Sequence, residues 1–521
     1  MSTLLPDLLA RQSRARPQAA ALRIEGREIS YRELDLLSDR LAATLRRAGV
    51  GPGERVVLAT GNTLSGYAGI FATLKLGAIY VPVDPATPAE RRRRIVADCV
   101  PRALIATAEG AAGLLTCDLP SDLRLVVAEG AAPGAGGPRV LDWEAALEAS
   151  EAYRGPDGGR RDPGDLAMIL YTSGSTGMPK GIMISHANAL AFVEWAVETL
   201  GLASDDRVAG VAGLHFDLSV FDLFATFHAG ATLVPLPAGS LLRPREVTEW
   251  MAAERISVWY STPSTLILLL THGDLEGGDT SALRLVLFAG EVLPTKHLRR
   301  LRGTVTAALY NLYGPTETNV CTYHRVDTVP TDDQETIPIG LPCAHSEVVL
   351  VTEDGRIAGV DEEGELWVRG PTVMRGYRGL EKLTAQAFAH IPGGDARLPP
   401  WYRTGDLAHR DGAGRLHFHG RRDHLVKVRG YRVELGEVEA ALYSHPAVRE
   451  LAVVAAPDAD HGVRLRACIV PSEPGTFSTL EMRCHLARLL PPYMLPAEFR
   501  CMDELPKTSS GKVDRMQLAR L

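Results

Sequence analysis

A loop rich in glycine and hydroxyl side chains is the first segment of this sequence that could bind a polyanion. Residues 172–181 read TSGSTGMPKG and follow an apolar stretch, residues 168–171, that predicts a strand. Glycines let backbone N–H groups approach phosphate oxygens, the hydroxyls add donors, and Lys180 adds positive charge. Composition alone leaves a flexible surface loop open, but the position after a strand favours a nucleotide site. The Gly-Lys pair at residues 511–512 is followed by valine, so a Walker A loop is excluded.

The segments that must position this loop alternate between helix and strand patterns. Leucines at helical spacing predict a helix over residues 34–45, with a capping box at Ser30 and Glu33 before it and Gly49 as its C-terminal cap. Strand-like apolar runs lie at residues 56–59, 79–83, 103–106, 125–127 and 168–171, with a helical stretch at residues 70–74. This rhythm favours parallel strands joined by crossover helices. The large N-terminal part is therefore predicted to be α/β.

The pattern changes beyond about residue 420. Strand-like runs at residues 425–428, 451–455 and 465–470, with a helix at residues 437–443, predict a small α+β domain. Residues 420–424, which are polar and begin with glycine, are the predicted hinge between the two parts. We therefore expect one domain over residues 1–422 and a second over residues 423–521.

Composition sets broad limits on function. The 521 residues are 45% hydrophobic and 23% charged, and the formal net charge of -7 gives no field that would attract nucleic acid or an anionic membrane. The basic run Arg91 to Arg94 is interpreted as a solvated helix face. Seven scattered cysteines without CxxC spacing indicate neither a disulfide framework nor a zinc site. With no leader or membrane-span pattern, we expect a cytosolic enzyme.

Five segments resemble, in order and spacing, the signatures of the acyl- and aminoacyl-adenylate-forming superfamily, which includes nonribosomal-peptide adenylation domains, acyl-CoA synthetases and luciferases. They are YTSGSTGMPKG at 171–181, YNLYGPTET at 310–318, YRTGDL at 402–407, GRRDHLVKVRGYRVE at 420–434 and LPKTSSGK at 505–512. The resemblance covers nearly the whole chain. It implies a large α/β N-terminal domain with several sheets and a small mobile α+β C-terminal domain.

The resemblance also implies ATP and Mg²⁺ as cofactors and gives a role to each matched residue. Tyr313 would stack on adenine, Glu317 would ligate Mg²⁺, Asp406 would hold the ribose hydroxyls, and Arg421 would lie near ribose and phosphate. The other residues implied to contact ATP are Thr172, Ser173, Gly174, Ser175, Thr176, Gly177, Lys180, Asn311, Gly314 and Thr316. Two positions depart from the family pattern: Met178, where lysine is frequent, and Phe418, where an aromatic side chain often carries a hydroxyl.

Lys512, in the final motif, would be the catalytic cation together with Glu317. Attack of a carboxylate on the α-phosphate brings two anions together, so a positive charge that reaches both stabilises the transition state. The family runs adenylation and thioester formation in two domain orientations, which would pivot at Asp423. Lys512 would then move away, and Gly430 with its neighbours would face an incoming pantetheine thiol.

Residues 215–222, HFDLSVFD, resemble the segment from which amino-acid-activating members present an aspartate, here Asp217, to the substrate's α-ammonium. The remaining pocket positions are Leu218, Phe221, Tyr260, Leu287, Ala289, Leu312, Val320 and Cys321, with Lys512 as the second charged anchor. This apolar lining suits a compact aliphatic amino acid. It is similar to that of stand-alone L-proline adenylating enzymes of pyrrole-2-carboxyl biosynthesis, except at Phe221, where leucine is usual. Alanine or another small aliphatic amino acid stays open.

The partner expected for the activated amino acid is a separate holo-peptidyl carrier protein. The chain ends nine residues after Lys512, with neither a carrier signature nor a condensation motif. Three alternatives remain at this point: an acyl-CoA synthetase, which Asp217 disfavours; a carrier-independent amide ligase; and a non-catalytic homologue, disfavoured because Lys512, Glu317 and Asp406 are all present.

Overall fold

Two large mixed sheets, one antiparallel sheet and a C-terminal α+β group make up the part of the chain that the structure describes. The computed structural model describes residues 3–112, 114, 120–130, 137–148, 153, 161–174, 178–333, 335–395, 397–422, 425–458, 462–473, 477–507 and 513–521. The α/β class predicted for the N-terminal part and the α+β class predicted for the C-terminal part are both confirmed. None of the helices in these ranges is long and apolar enough to cross a membrane.

The first large sheet contains the strands predicted around the glycine-rich loop. Within the described ranges it has eight strands, of which six run parallel and two close one edge in antiparallel fashion. In spatial order they are Gly376–Tyr377, Lys180–Ser185, Leu166–Thr172, Ile79–Pro82, Arg55–Ala59, Ala103–Ala106, Leu125–Ala128 and Arg139–Leu141. Each predicted run lies on a strand of this sheet, so the parallel arrangement is also confirmed.

The second large sheet contributes most of the functional positions. Among the described residues it has nine strands, again with six parallel strands in the middle. In order they are Leu341–Pro342, Thr322–Arg325, Ala308–Tyr313, Leu285–Ala289, Val258–Ser261, Arg207–Gly210, Thr232–Pro235, Ala20–Ile24 and Arg27–Ser30. Because the carboxyl ends of parallel strands meet at one edge, residues that follow them are brought together there.

The third sheet is antiparallel and leads towards the C-terminal group. It contains Glu347–Val351, Gly364–Arg369, Trp401–Arg410, Phe388–Ala389 and Leu416–Arg421. The C-terminal group begins with the hairpin of Leu425–Val428 and Tyr431–Glu434, followed by the strands Val448–Asp458, Gly462–Pro471 and Glu498–Cys501. One apolar cluster of this group draws on residues from 426 onward.

Helices cover the sheets and largely follow the predicted positions. They span Leu5–Ala15, Tyr31–Arg47, Leu64–Lys75, Ala89–Cys99, Ala108–Ala111, Trp143–Leu147, His186–Leu200, Leu218–Val220, Thr226–Ala229, Pro244–Ala253, Pro263–His272, Thr295–Thr304, Glu381–Ala387, Leu435–Tyr443, Thr479–Ala487 and Arg515–Arg520. Shorter 3₁₀ or π turns span Phe221–Ala225, Ser240–Leu242 and Pro492–Met494. The Ser30 hydroxyl accepts the Glu33 N–H at 3.1 Å, but the Glu33 carboxylate pairs with Arg27, so the capping box reduces to a Ser30 cap.

The interpretation of residues 91–94 as a solvated helix face is wrong for two of the four arginines. Arg92 is 5% exposed, and its guanidinium donates to backbone carbonyls that include Pro85 at 3.0 Å and Gly110 at 2.8 Å. Arg91 is 7% exposed and forms an ion pair with Glu437 of the small domain. Charge counting on one helix could not reveal these partners, because all of them lie outside the helix and Glu437 lies in another domain.

Three aromatic side chains pack together in the apolar core that both large sheets share. Phe71 and Phe227 stack with ring centroids 5.4 Å apart, Tyr31 meets Phe227 edge-on at 5.2 Å, and all three are fully buried. We expect Phe227→Ala to lower the free energy of unfolding of the large domain by about 3–5 kcal/mol, because it leaves a cavity in this core. Urea unfolding followed by tryptophan fluorescence measures the change.

The matched control for this prediction is Leu242→Ala. Leu242 is 87% exposed, so its truncation is expected to change the unfolding free energy by less than about 0.5 kcal/mol. Equal changes in unfolding free energy for the two substitutions would contradict the prediction that the aromatic cluster stabilises the large domain.

Candidate active site

A cavity of about 570 Å³ lies where the parallel strands of the nine-stranded sheet end. Its lining includes Val211, Ser261, Ala289 and Gly314, each at or directly after the carboxyl end of one of these strands. Thr172, the last residue of a strand of the eight-stranded sheet, lines the same cavity. The topology therefore joins the predicted phosphate loop to the predicted substrate pocket.

The hairpin of the small domain closes one side of this cavity. Gly430 lies at its turn with φ +84°, and its N–H donates to the Glu291 carboxylate. A Cβ at this position would lie 2.3 Å from the Thr262 methyl carbon, so only glycine fits without displacement. Lys427 and Arg432, on the two strands of the hairpin, also line the cavity. The predicted pantetheine-side segment thus lies inside the site in this domain arrangement.

Glu317, the predicted metal ligand, is fully buried beside this hairpin. Arg432 Nη1 lies 2.6 Å from one carboxylate oxygen, and the Tyr377 hydroxyl donates to the other at 2.7 Å. Burial alone would raise the pKa of Glu317, but the charges of Arg432 and Lys180 outweigh it and hold the pKa at about 2. Glu317 is therefore an ionised carboxylate whose charge is balanced by these two cations.

The two described ends of the phosphate loop also contact the small domain. The Ser173 hydroxyl donates to the Arg432 carbonyl at 2.7 Å and accepts the Glu434 N–H at 3.1 Å. Lys180 Nζ lies 3.6 Å from the Glu434 carboxylate. These loop residues are therefore bound to the hairpin through the groups that were predicted to bind phosphate.

A buried ion pair joins the start of the small domain to the large one. Arg91 and Glu437 are 8% and 3% exposed in their side chains, and the second Glu437 oxygen accepts the Gly174 N–H at 3.3 Å. Gly174 has no room for a side chain, since a Cβ would lie 2.1 Å from the Met178 carbonyl oxygen. Met178 itself is 48% exposed, so methionine in place of the family's frequent lysine changes no buried contact.

The predicted nucleoside residues form a hydrogen-bonded group at the other end of the cavity. Asp406 and Arg421 line it and form an ion pair with each other. Burial raises the pKa of Tyr313, and its hydroxyl donates to the second Asp406 oxygen rather than facing the cavity. Asn311 donates its amide to the Pro338 carbonyl at 2.8 Å. The structure therefore brings Asp406 and Arg421 to the cavity and places Tyr313 and Asn311 behind it.

Asp217 lines the cavity at the start of the short helix Leu218–Val220. Burial raises the pKa of its carboxyl group, while a hydrogen bond from Thr316 and the charge of Lys427 oppose that shift. Both Thr316 and Lys427 line the cavity as well. A bound ammonium group would favour the ionised form of Asp217, as a substrate-recognition carboxylate requires.

The apolar positions predicted for the substrate pocket divide into three groups. Leu218, Tyr260, Ala289 and Val320 line the cavity, while Phe221, Leu287 and Leu312 are buried in the same apolar cluster without lining it. The Phe221 ring packs edge-on against Tyr260 at 5.3 Å, so it shapes the pocket through that ring. Cys321 lies in a different cluster, with Tyr313, and Phe418 contacts that cluster from outside.

Aromatic rings link the substrate segment to the small domain. Phe216, directly before Asp217, meets Tyr431 of the hairpin edge-on at 4.8 Å, and Tyr431 stacks on Tyr493 at 3.6 Å. All three line the cavity. Five predicted residues lie outside the described ranges: Ser175, Thr176, Gly177, Asp423 and Lys512.

The contacts that the sequence did not predict come from three side chains of the small domain. Arg432 meets Glu317, Glu434 meets Lys180, and Glu437 meets Arg91. One sequence signal was present. Arg432 and Glu434 alternate with Tyr431 and Val433, so on a strand the two charges share one face. That pattern predicts a charged face, but it does not name the partner.

The environment of Glu317 fits a divalent cation bound together with phosphate. Within the described part of the chain, no three His, Cys, Asp or Glu side chains converge as a metal site. A cation at Glu317 would therefore take its remaining oxygen ligands from phosphate and water, which is the usual coordination of Mg²⁺. The fully buried, ionised carboxylate suits that role.

With this geometry established, the chain can be assigned to a family. Residues 9–378 match the AMP-binding enzyme family and residues 437–512 match the AMP-binding enzyme C-terminal domain, so the chain belongs to the AMP-binding enzymes. A curated relative from Pseudomonas fluorescens, named L-proline--[L-prolyl-carrier protein] ligase, is 39% identical over 97% of this chain and 96% of its own length. A relative of the same name from Streptomyces coelicolor is 39% identical over 99% of this chain and 97% of its own.

The solved structures show the same fold. The amide bond synthetase McbA from Marinactinospora thermotolerans superposes with a TM-score of 0.86 at 26% identity, covering 99% of both chains. This full-length agreement confirms the adenylate-forming fold, including the C-terminal part.

Replacing Arg91 alone is expected to release the small domain from the cavity. Arg91→Met leaves the Glu437 carboxylate buried without its partner, which should ease opening by about 3–5 kcal/mol. We expect faster deuterium uptake at residues 425–437, measured by hydrogen-exchange mass spectrometry. The double variant Arg91→Met/Glu437→Met should recover most of the protection, because an apolar pair carries no uncompensated charge. Unchanged uptake in Arg91→Met would contradict a structural role for the pair.

Proposed function

We propose that this protein uses ATP to convert L-proline to prolyl-AMP with release of pyrophosphate, and then transfers the prolyl group to the phosphopantetheine thiol of a holo-peptidyl carrier protein. The observation that carries the proposal is the position of Asp217, a carboxylate in a cavity that the apolar side chains of Leu218 and Ala289 line together with Ser173 and Asp406. The likeness to two L-proline–carrier protein ligases over nearly their full length supports the choice of proline and of a carrier.

In the first half-reaction, the cavity would hold the amino acid and the nucleotide side by side. Asp217 would bind the α-ammonium group, leaving the substrate carboxylate directed at the α-phosphate. Asp406 would accept hydrogen bonds from the ribose, and Lys180 with the loop N–H groups would neutralise phosphate charge. Lys512 would stabilise the charge that develops as the carboxylate oxygen bonds to phosphorus and pyrophosphate departs.

Glu317 is the residue that would hold Mg²⁺, and the bound ion would neutralise phosphate oxygens of ATP. Tyr377 would orient the carboxylate through its hydrogen bond to the second oxygen. The rest of the protein's contribution is to exclude water and to fix the reacting groups.

In the second half-reaction, rotation near Asp423 would bring the hairpin into the cavity, as in the arrangement described above. Gly430 and Thr262 lie in direct contact there, and both line the cavity through which a pantetheine arm would enter. Attack of the thiol sulfur on the prolyl carbonyl would form the thioester and release AMP.

Two other functions in the same family would use the same fold. An acyl-CoA synthetase would need no ammonium-binding group, and the half-buried Asp217 in the cavity lining argues against it. A carrier-independent amide ligase has one argument in its favour, the likeness to an amide bond synthetase structure, but the two relatives with the higher identity are carrier protein ligases.

Amino-acid-dependent pyrophosphate exchange tests the first half-reaction. Across the common amino acids we expect proline to give the strongest exchange, because the apolar lining and Asp217 fit a compact aliphatic amino acid. Lys512→Ala should lose at least about a hundredfold in rate, since a cation at the reacting phosphate is removed. A matched control is Lys507→Ala, in the same final segment.

Two results would contradict the assignment. Strong exchange with alanine but not proline would overturn the substrate, and exchange only with non-amino carboxylates would overturn the class. Mass spectrometry of a holo-carrier should show an added prolyl group, whereas a free CoA thioester or an amide product would favour an alternative.

Gly430→Ala is expected to separate the two half-reactions. The added methyl group would clash with Thr262, and alanine would have to adopt the left-handed backbone conformation of Gly430. The hairpin should therefore dock poorly, while pyrophosphate exchange stays near wild type. We expect carrier loading, measured in single-turnover reactions, to fall by about tenfold or more. Thr262→Ser removes the methyl carbon nearest the clash and should restore part of the loading in the double variant. Equal losses in both half-reactions would contradict this separation.

A further inference from the structure

The segment Arg432 to Glu437 binds the same groups of the large domain that the proposed function assigns to Mg²⁺ and pyrophosphate. Arg432 contacts Glu317, the proposed metal ligand, at 2.6 Å. The Glu434 carboxylate lies 3.6 Å from Lys180, the proposed phosphate cation.

Contacts at the start of the phosphate loop complete the match. The Glu437 carboxylate accepts the Gly174 N–H at 3.3 Å. The Ser173 hydroxyl bonds to the backbone of residues 432 and 434. Glu317, Lys180 and the Gly174 N–H therefore each have a small-domain partner of the charge that they were proposed to bind, whereas Ser173 bonds to neutral backbone groups.

The order of charges along the segment matches that of a metal-bound polyphosphate. The Arg432 guanidinium meets the buried Glu317 carboxylate, as a metal ion would. The Glu434 and Glu437 carboxylates meet Lys180 and the Gly174 N–H, as phosphate oxygens would. From this correspondence we propose that the segment Arg432 to Glu437 is an internal mimic of Mg²⁺·pyrophosphate, and that the two occupy the active site in mutually exclusive fashion. The inference rests on the proposed phosphate and metal roles, and it adds that pyrophosphate must leave before the segment docks.

Mutual exclusion follows from space and from charge. Glu317 is 0% exposed in its side chain, so its oxygens have no room for a guanidinium and a hydrated divalent ion together. Glu434 and Glu437 would likewise place carboxylates against phosphate oxygens in a buried site, where like charges repel strongly. Either the product or the segment can hold these groups, but not both.

This exclusion assigns Arg432, Glu434 and Glu437 as positioning residues for the second half-reaction. While pyrophosphate remains bound, the segment cannot dock, and Gly430 stays outside the cavity. Departure of pyrophosphate leaves Glu317, Lys180 and the loop without partners. Docking of the segment then supplies a new partner to each of them. The carrier thiol is then admitted only after the step that makes adenylation irreversible.

Binding of pyrophosphate in the presence of Mg²⁺, measured by calorimetry on the full-length enzyme without nucleotide, tests the proposal. Docking and ligand binding must weaken each other by the same factor. Arg432→Gln and Glu437→Gln should therefore bind Mg²⁺·pyrophosphate at least about tenfold more tightly than wild type, because each loses a charge-assisted contact of the competing state. Arg432→Lys, which keeps the charge, should lie closer to wild type.

Hydrogen exchange gives a second readout on the same proteins. Addition of Mg²⁺ and pyrophosphate should raise deuterium uptake at residues 425–437 of the wild type, since the Gly430 and Glu434 amides lose their acceptors. Arg449→Gln and Glu481→Gln are matched charge-removal controls on the small domain, away from the cavity lining, and should match wild type in both measurements.

The outcomes separate this inference from the proposed function. Equal affinity of wild type, Arg432→Gln and Glu437→Gln for Mg²⁺·pyrophosphate would overturn the mimicry and leave the phosphate roles intact. No binding by any of these proteins would overturn the phosphate site on which the inference rests. Proline-dependent exchange in the wild type, lost in Glu317→Gln, tests the metal role independently of either result.

Discussion

The structure depends on one electrostatic pairing: the fully buried carboxylate of Glu317 is held in its ionised form by the cations beside it. Its low pKa shows that the surrounding positive charge outweighs the cost of burial. In the arrangement described here the cation is Arg432, delivered by a hairpin that is more than a hundred residues away in sequence. The position of the small domain is therefore coupled to the charge state of a site built by the large one, and this coupling connects the fold to its two-step chemistry.

The large domain supplies that site because its sheets end at one place. Apolar side chains on the strands build the shared core, and the first residues beyond the strands supply the hydroxyls, carboxylates and glycines of the cavity. Glycine is required where backbone approaches backbone or a side chain, as at Gly174 beside Met178 and at Gly430 beside Thr262. These positions place N–H groups against anions, which a side chain would prevent.

Much of this could be predicted from local sequence. The strand positions and the parallel order followed from periodicity, since buried parallel strands require continuous apolar runs. The family motifs singled out Asp217 and Asp406, which line one cavity, and Glu317, which pairs with Arg432 of the hairpin that also lines it. Local patterns failed where a side chain is used by a distant segment: Arg91, interpreted as part of a solvated helix face, is buried against Glu437. The motifs also gave no sign of the hydrogen bond from the Tyr313 hydroxyl to Asp406. Such partners depend on tertiary contacts that no periodicity encodes.

The ring contact between Phe216 and Tyr431 has a consequence for redesign of substrate choice. Phe216 immediately precedes Asp217, the proposed anchor of the amino acid, so a backbone shift made there to enlarge the pocket also moves the ring against which the hairpin packs. Selectivity and domain alternation are thus not independent traits in this molecule. An engineered variant that adenylates a bulkier amino acid could therefore still fail to transfer it to the carrier. Screening for the final acyl product, rather than for adenylation, detects such variants.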